Sequence, residues 1–132
     1  MPDLRPEEIR AALDALRYDI GTVAAEVPAG TNPNRVKLVA SQNRALYFSR
    51  ASIPHGAPTH LEHVGIYAFK RHALEGFVSS PPSPLEKFEK LEQLRALEAG
   101  MHIGVKLIAR APLCIDTAED YACALIALGT PF

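Results

Sequence analysis

Apolar residues recur at helical spacing near the start of the chain, at Ile9, Leu13 and Leu16. Pro6 suits a first helical turn, and Glu7 and Glu8 favour its positive end. Residues 6–17 therefore read as a helix, with Gly21 stopping what remains. Residues 22–27 read as a short strand, and Gly30-Thr31-Asn32-Pro33-Asn34 as a turn cluster. Val36, Leu38 and Val39 interleave with Lys37, Gln42-Asn43-Arg44 carries a turn, and residues 45–49 return, which predicts a hairpin. Pro54 to Pro58 is a loop, residues 64–69 a strand, 71–78 a short helix and 79–84 a proline-rich connector. The clearest element is a helix over 84–99. Ser83 caps it, Pro84 takes its first position, Glu86 completes a Ser-x-x-Glu box, and Gly100 ends it. Residues 103–109 form a strand. Thr117 and Asp120 open a last helix, which Gly129 and Pro131 close. The order predicts an α/β layer architecture with a mixed sheet, in one domain over 1–132, without internal repeats.

Composition adds exclusions. Of 132 residues, 48% are hydrophobic and 22% charged, which is ordinary for a globular chain. Fourteen Lys and Arg against fifteen Asp and Glu give a net charge of −1. That balance carries no footprint for nucleic acid or an anionic membrane. No apolar run nears the roughly 20 residues that span a bilayer. The N-terminal segment has no basic and apolar succession of a secretory signal, so a cytoplasmic protein is the expectation. Cys114 and Cys123, in apolar surroundings, read as reduced, buried thiols. Neither has a second Cys or His at metal-ligand spacing.

Three places offer chemistry. Asp116 follows a strand region and precedes a helix cap, where open α/β sheets bind ligands. A carboxylate there reads either as one ligand of Mg²⁺ or as a turn residue. On the helix over 84–99, Leu85, Phe88, Leu91 and Leu94 make an apolar stripe in which Glu92 and Arg95 also fall. Those charges read either as an intrahelical pair three residues apart or, with Gln93, as the wall of a pocket for a hydroxyl-rich ligand. Arg50, ending Tyr47-Phe48-Ser49-Arg50, reads as a surface arginine or as a clamp for a carboxylate. His55, His60 and His63 lack zinc spacing. His63 and Tyr67 read as core or as pocket donors. No G-x-G-x-x-G or P-loop occurs, so the chain has no evident cradle for a triphosphate.

Five ordered motifs then carry a resemblance. They are Asn32-Pro33-Asn34 with Val36-Lys37; Ala45-Leu46-Tyr47-Phe48-Ser49-Arg50-Ala51 with Ile53-Pro54; His63-Val64-Gly65-Ile66-Tyr67; Pro82-Ser83-Pro84-Leu85-Glu86 through Arg95; and Asp116-Thr117-x-Glu119-Asp120. Together they resemble CMP-Kdo synthetase, the 3-deoxy-manno-octulosonate cytidylyltransferase family. The resemblance implies transfer of CMP from CTP to the sugar acid Kdo with release of pyrophosphate, assisted by Mg²⁺, in the cytoplasm, for lipopolysaccharide synthesis. It implies a homodimer with a mixed-sheet, Rossmann-like nucleotidyltransferase fold. It places Arg50 against the sugar carboxylate, His63, Tyr67, Glu92 and Gln93 around the sugar, and Asp116 among two Mg²⁺-binding aspartates.

The match covers only the family's later, sugar-binding and dimerisation part. Met1 falls near the family's Gly-Asp-Glu-Pro segment, so that motif and the basic Gly-rich loop for CTP phosphates are missing from this chain. The loop from Pro54 to Leu61 is short, Glu62 stands where an arginine is usual, Ala118 replaces a proline and Cys114 a glycine. Two expectations follow. One is part of a cytidylyltransferase, inactive alone, that works with a separate N-terminal half. The other is a non-catalytic remnant that keeps a sugar-acid pocket or a dimer surface. The segment from Tyr121 to Leu128 is apolar all round, a kind of helix normally buried on most sides, so the chain is expected to self-associate or to need a partner.

Overall fold

The computed structural model describes residues 1–129. Pro131, expected to close the last helix, lies outside the described residues. Five helices and five strands are arranged as α1 (Pro6–Asp14), β1 (Ile20–Pro28), β2 (Lys37–Ser41), β3 (Arg44–Ser49), β4 (Thr59–Phe69), α2 (Arg71–Ser79), α3 (Pro84–Glu89), α4 (Gln93–Glu98), β5 (Ile103–Ile108) and α5 (Ala118–Leu128).

The sheet is mixed, as the element order predicts. β1 runs antiparallel to β4 and parallel to β5. The β2–β3 hairpin packs β2 beside β4, through Lys37↔Glu62 and Leu38↔Leu61. β3 meets β5 at Arg44↔Gly104, and the Val105 N–H donates to the Asn43 carbonyl at 2.9 Å. The ladder therefore closes as β1-β4-β2-β3-β5, a barrel that element order alone did not indicate. Both hairpin seams are short, and these few pairs close the ring.

β1 is buried continuously from Ile20 to Ala25 because both its faces are covered. Ile20 and Ala24 join Leu38, Phe48, Ile103 and Val105 in the main core, with Ala73, Leu91 and Leu94 from the helical segments. Val23 and Val64 pack instead on Ala11 and Ala12 of α1. Gly21 and Gly104 are register partners in β1 and β5. A Cβ on Gly21 would lie 2.3 Å from the Ala12 carbonyl oxygen, and one on Gly104 2.0 Å from that of Ala15. Gly21 thus belongs to β1 and is not a helix stop. α1 ends earlier, at Asp14, where the N–H of its cap Ala15 bonds the Ala11 carbonyl at 3.0 Å and that of Leu16 the Leu13 carbonyl at 3.1 Å.

The helix over 84–99 is two helices. Lys90 adopts φ 57°, and its N–H closes on the Glu86 carbonyl at 2.7 Å, ending α3 in a left-handed cap. The turn redirects everything after it. Phe88 is left 84% exposed, while Leu91 and Leu94 enter the core. Arg95 does not pair with Glu92. It forms a bidentate pair with Glu86, at 2.6 and 2.9 Å, and lies 4.8 Å over the Phe77 ring. Glu86 also accepts the Ser83 N–H at 3.0 Å, as its place in the capping box predicts.

α5 starts as predicted, with Thr117 Oγ1 accepting from the Asp120 N–H and Asp120 Oδ2 accepting from the Thr117 N–H, both at 3.1 Å. Its apolar length exceeds what this chain covers, as expected of a segment apolar all round. Ala124 is buried, but Tyr121 is exposed and Ile126 is 82% exposed. Cys123 is likewise exposed, and Cys114 is half-buried; both are free thiols. β4 begins at Thr59, five residues ahead of the predicted Val64, because Glu26 and His60 lie on the β1–β4 ladder rather than in a loop.

Candidate functional site

A cleft of about 220 Å³ opens between the middle of β4, the start of α4 and the segment leading to α5. His63, Tyr67, Gln93 and Asp116 all line it, so four of the six residues singled out in the sequence meet here. Glu92 lines an adjoining cleft of about 370 Å³, which shares Tyr67, Leu91 and Gln93 as a common wall. Arg50 lines neither.

The backbone explains the meeting of His63 and Tyr67. Thr22 pairs with Tyr67 but Val23 pairs with Val64, so Gly65 and Ile66 are extra residues on β4. Four residues along a regular strand separate side chains by about 13 Å. At this bulge the His63 and Tyr67 rings come to 5.5 Å, centroid to centroid. Bulges re-aim side chains in this way beside functional sites. Phe48 fixes the imidazole from another side, edge-on at 5.0 Å.

Burial holds the imidazole neutral, pushing the His63 pKa down to about 3. The Tyr67 phenol is pushed up, first by burial and then by the nearby Glu92 carboxylate, so it stays protonated. His63 and Tyr67 therefore face the cleft as neutral donors and acceptors, on the same strand as the Glu62 carboxylate. The positive charge of the cleft is Arg35, which bridges Glu62 at 3.5 Å and Asp120 at 3.1 Å. Sequence reading missed Arg35. The usable signal was its place between the Asn32-Pro33-Asn34 turn and β2, across from the unusual Glu62. That Glu62 is answered by Arg35 as an ion pair.

Polar groups around the cleft fall into two sets. One set is engaged within the protein. Glu89 accepts from Tyr47, Ser49 and the Arg50 N–H at 3.2, 2.8 and 3.1 Å. Buried Lys37 donates to the carbonyls of Asn32 and Arg50, and burial lowers its pKa. The Arg50 guanidinium donates to the carbonyls of Glu89, Pro33 and Lys90 at 3.0, 3.0 and 3.3 Å. Arg50 is thus a brace between the Asn-Pro-Asn turn and the α3–α4 junction. The other set has no side-chain hydrogen bond to the described residues: the Tyr67 hydroxyl, the Glu92 carboxylate, the Gln93 amide and the Asp116 carboxylate, with His63 using one nitrogen only. Most polar groups in a folded interior are paired. Several unpaired ones converging on clefts suit a polyhydroxylated ligand.

Asp116 is exposed, and its side chain is available at the cleft rim. Among the described residues no group of three or more His, Cys, Asp or Glu is placed to hold a metal ion. One carboxylate fits Mg²⁺ as part of a shell completed by phosphate and water, the usual habit of that ion. Among the described residues no helix is long and apolar enough to cross a membrane.

Comparison with known proteins agrees with the motifs. The cytidylyltransferase family model matches residues 2–103. A 3-deoxy-manno-octulosonate cytidylyltransferase of Rhodopseudomonas palustris (strain BisB5) is 51% identical over 139 aligned positions, covering 97% of this chain and 57% of that protein. One from Brucella ovis is 48% identical, covering 91% and 53%. A solved CMP:2-keto-3-deoxy-manno-octonic acid synthetase in complex with CTP superposes with a TM-score of 0.84 at 32% identity, over 98% of this chain and 59% of that one. The chain spans just over half the length of these relatives. It has their mixed α/β fold over that span, and it belongs to the cytidylyltransferase family.

Proposed function

We propose that this chain is the sugar-acid side of a cytidylyltransferase that transfers CMP from CTP to 3-deoxy-manno-octulosonate, releasing pyrophosphate. The observation that carries this is the convergence of His63, Tyr67, Gln93 and Asp116 on one cleft, with Glu92 next door, in a chain about half identical to enzymes of that name. His63, Tyr67 and Gln93 are polar groups suited to sugar hydroxyls. Glu92 accepts hydroxyl donors from the adjoining cleft. Asp116 would hold Mg²⁺ at the rim, where the ion would offset charge on the phosphate oxygens of CTP. Arg50 meets the sugar carboxylate only by exchanging a carbonyl partner for it. Otherwise its role is to fix the turn and helix junction that frame the cleft.

The nucleotide-binding part belongs, on this reading, to the portion of the relatives that the chain does not span. The complete enzyme is a cytoplasmic homodimer feeding lipopolysaccharide synthesis. Exposed Phe88, Val78 and Ile126 are candidates for the covered surface. A second reading is a sugar-acid-binding or dimerisation module without catalysis, consistent with Asp116 standing outside any group of three or more metal-ligating side chains among the described residues. Calorimetry of the chain with Kdo, then with CTP and Mg²⁺, followed by a pyrophosphate-release assay, tests both. Saturable Kdo binding, weak CTP binding and no turnover are expected. Turnover at an ordinary enzymic rate contradicts the division of labour, and absence of Kdo binding contradicts the sugar-acid site.

A further inference from the structure

One ring nitrogen of His63 is held by a hydroxyl. Thr22 is fully buried, and its Oγ1 lies 2.9 Å from His63 Nε2. The same Oγ1 lies 2.8 Å from the Ile66 carbonyl and 3.3 Å from that of Val64. A threonine hydroxyl has one proton to donate. Carbonyls only accept, so that proton goes to the bulge carbonyls, of which Ile66 is closer. If it went to His63 instead, two oxygens would face each other at 2.8 Å with no proton between them. Oγ1 therefore has lone pairs left for His63, and Nε2 must carry the hydrogen. A neutral imidazole has one N–H, so Nδ1 bears a lone pair. Nδ1 has no hydrogen-bond partner among the described residues, and it is not sealed from solvent.

We propose that Thr22 is a positioning residue: it holds His63 as the Nε2–H tautomer and so makes Nδ1 a hydrogen-bond acceptor for a ligand hydroxyl in the cleft. This rests on the sugar-acid reading above and assigns one of its contacts. His63 takes a proton-bearing group, a sugar hydroxyl, and does not meet the carboxylate. The tautomer follows from the bond made by the other nitrogen. The two-residue bulge supplies the carbonyls that commit the threonine proton, so the irregularity in β4 has a chemical consequence at the cleft.

Long-range proton–nitrogen correlation spectra of the histidine-labelled chain read the tautomer directly, with His63 assigned against His63→Asn. The wild-type chain and Thr22→Ser should show the Nε2–H pattern, and Thr22→Val a mixture of tautomers. Kdo should bind Thr22→Val roughly three- to tenfold more weakly, and Thr22→Ser at wild-type affinity. An Nδ1–H or mixed pattern in the wild-type chain overturns the proposal. So does a folded Thr22→Val chain with wild-type pattern and affinity. If Thr22→Val does not fold, the wild-type and serine spectra decide. If the wild-type chain shows the Nε2–H pattern but takes up no Kdo, the sugar-acid reading fails and the acceptor role fails with it, leaving the tautomer as structure only.

Discussion

Replacing Gly104 by alanine tests whether α1 and the β1–β5 pair are locked together. The added methyl carbon would sit 2.0 Å from the Ala15 carbonyl oxygen and 3.2 Å from its carbonyl carbon. Ordinary contacts of this kind are about 3.4 Å or longer. The obstacle is backbone, so no rotamer change relieves it, and the end of α1 must lift by more than an ångström. Lifting it opens the packing of Ala11 and Ala12 on Val23 and Val64. Overpacking of a close-packed interior costs about 1–3 kcal/mol, and a rigid backbone obstacle puts this change near the upper end. In a chain of this length, about 3 kcal/mol lowers the melting temperature by roughly 10 °C. Thermal melts followed by circular dichroism measure it, with Gly65→Ala as control, because a Cβ there meets nothing within 4 Å. A Gly104→Ala chain that melts with the wild type would refute the close approach of α1 and the packing built on it.

The remaining predictions concern named side chains. Glu86 is pulled down to about 2 by hydrogen bonds from Arg95, against burial and with help from the Ser83 N–H, from an ordinary 4.5. Its stabilisation is therefore present above about 4.5 and lost as pH falls toward 2, and acid melts of Glu86→Gln should lack that component. An identical acid profile in both chains would count against the pair. Asp116→Asn should leave melting unchanged, since the side chain has no partner among the described residues, yet lower turnover of the complete enzyme by orders of magnitude; full turnover at saturating Mg²⁺ would remove the metal role. Arg50→Lys should lower the melting temperature, because a single ammonium cannot replace a fork that serves three carbonyls. A raised Michaelis constant for the sugar, and not for CTP, would add carboxylate recognition to that bracing, while an unchanged melt would refute the brace.

What could be read in advance was what neighbouring residues decide among themselves. The boxes at Ser83–Glu86 and Thr117–Asp120 are local exchanges of backbone and side-chain bonds, and both helices start where those residues stand. The break at Lys90 was not legible. A non-glycine residue takes the left-handed conformation there because the Glu86 carbonyl needs a donor and Leu91 must reach the core. Helical projection of Glu92 and Arg95 failed for the same reason. The seating of α1 on the β1–β5 pair depends on Gly21 and Gly104 meeting beneath it, a coincidence of residues 83 apart that no periodicity reports. The candidate site was legible through motifs, and geometry then sorted its members. His63, Tyr67, Gln93 and Asp116 share a cleft, whereas Arg50 is engaged elsewhere by carbonyls. Arg35 was hidden because a cation beside a turn resembles any surface arginine until Glu62 and Asp120 are seen around it.

A crystal structure of the chain soaked with Kdo decides whether the proposed sugar-acid site exists. The sugar is expected in the cleft bounded by β4, α4 and the segment before α5, with a hydroxyl on His63 Nδ1 and the Gln93 amide within hydrogen-bond reach. A sugar bound elsewhere, or an empty cleft at concentrations that saturate the calorimetric signal, would contradict that site.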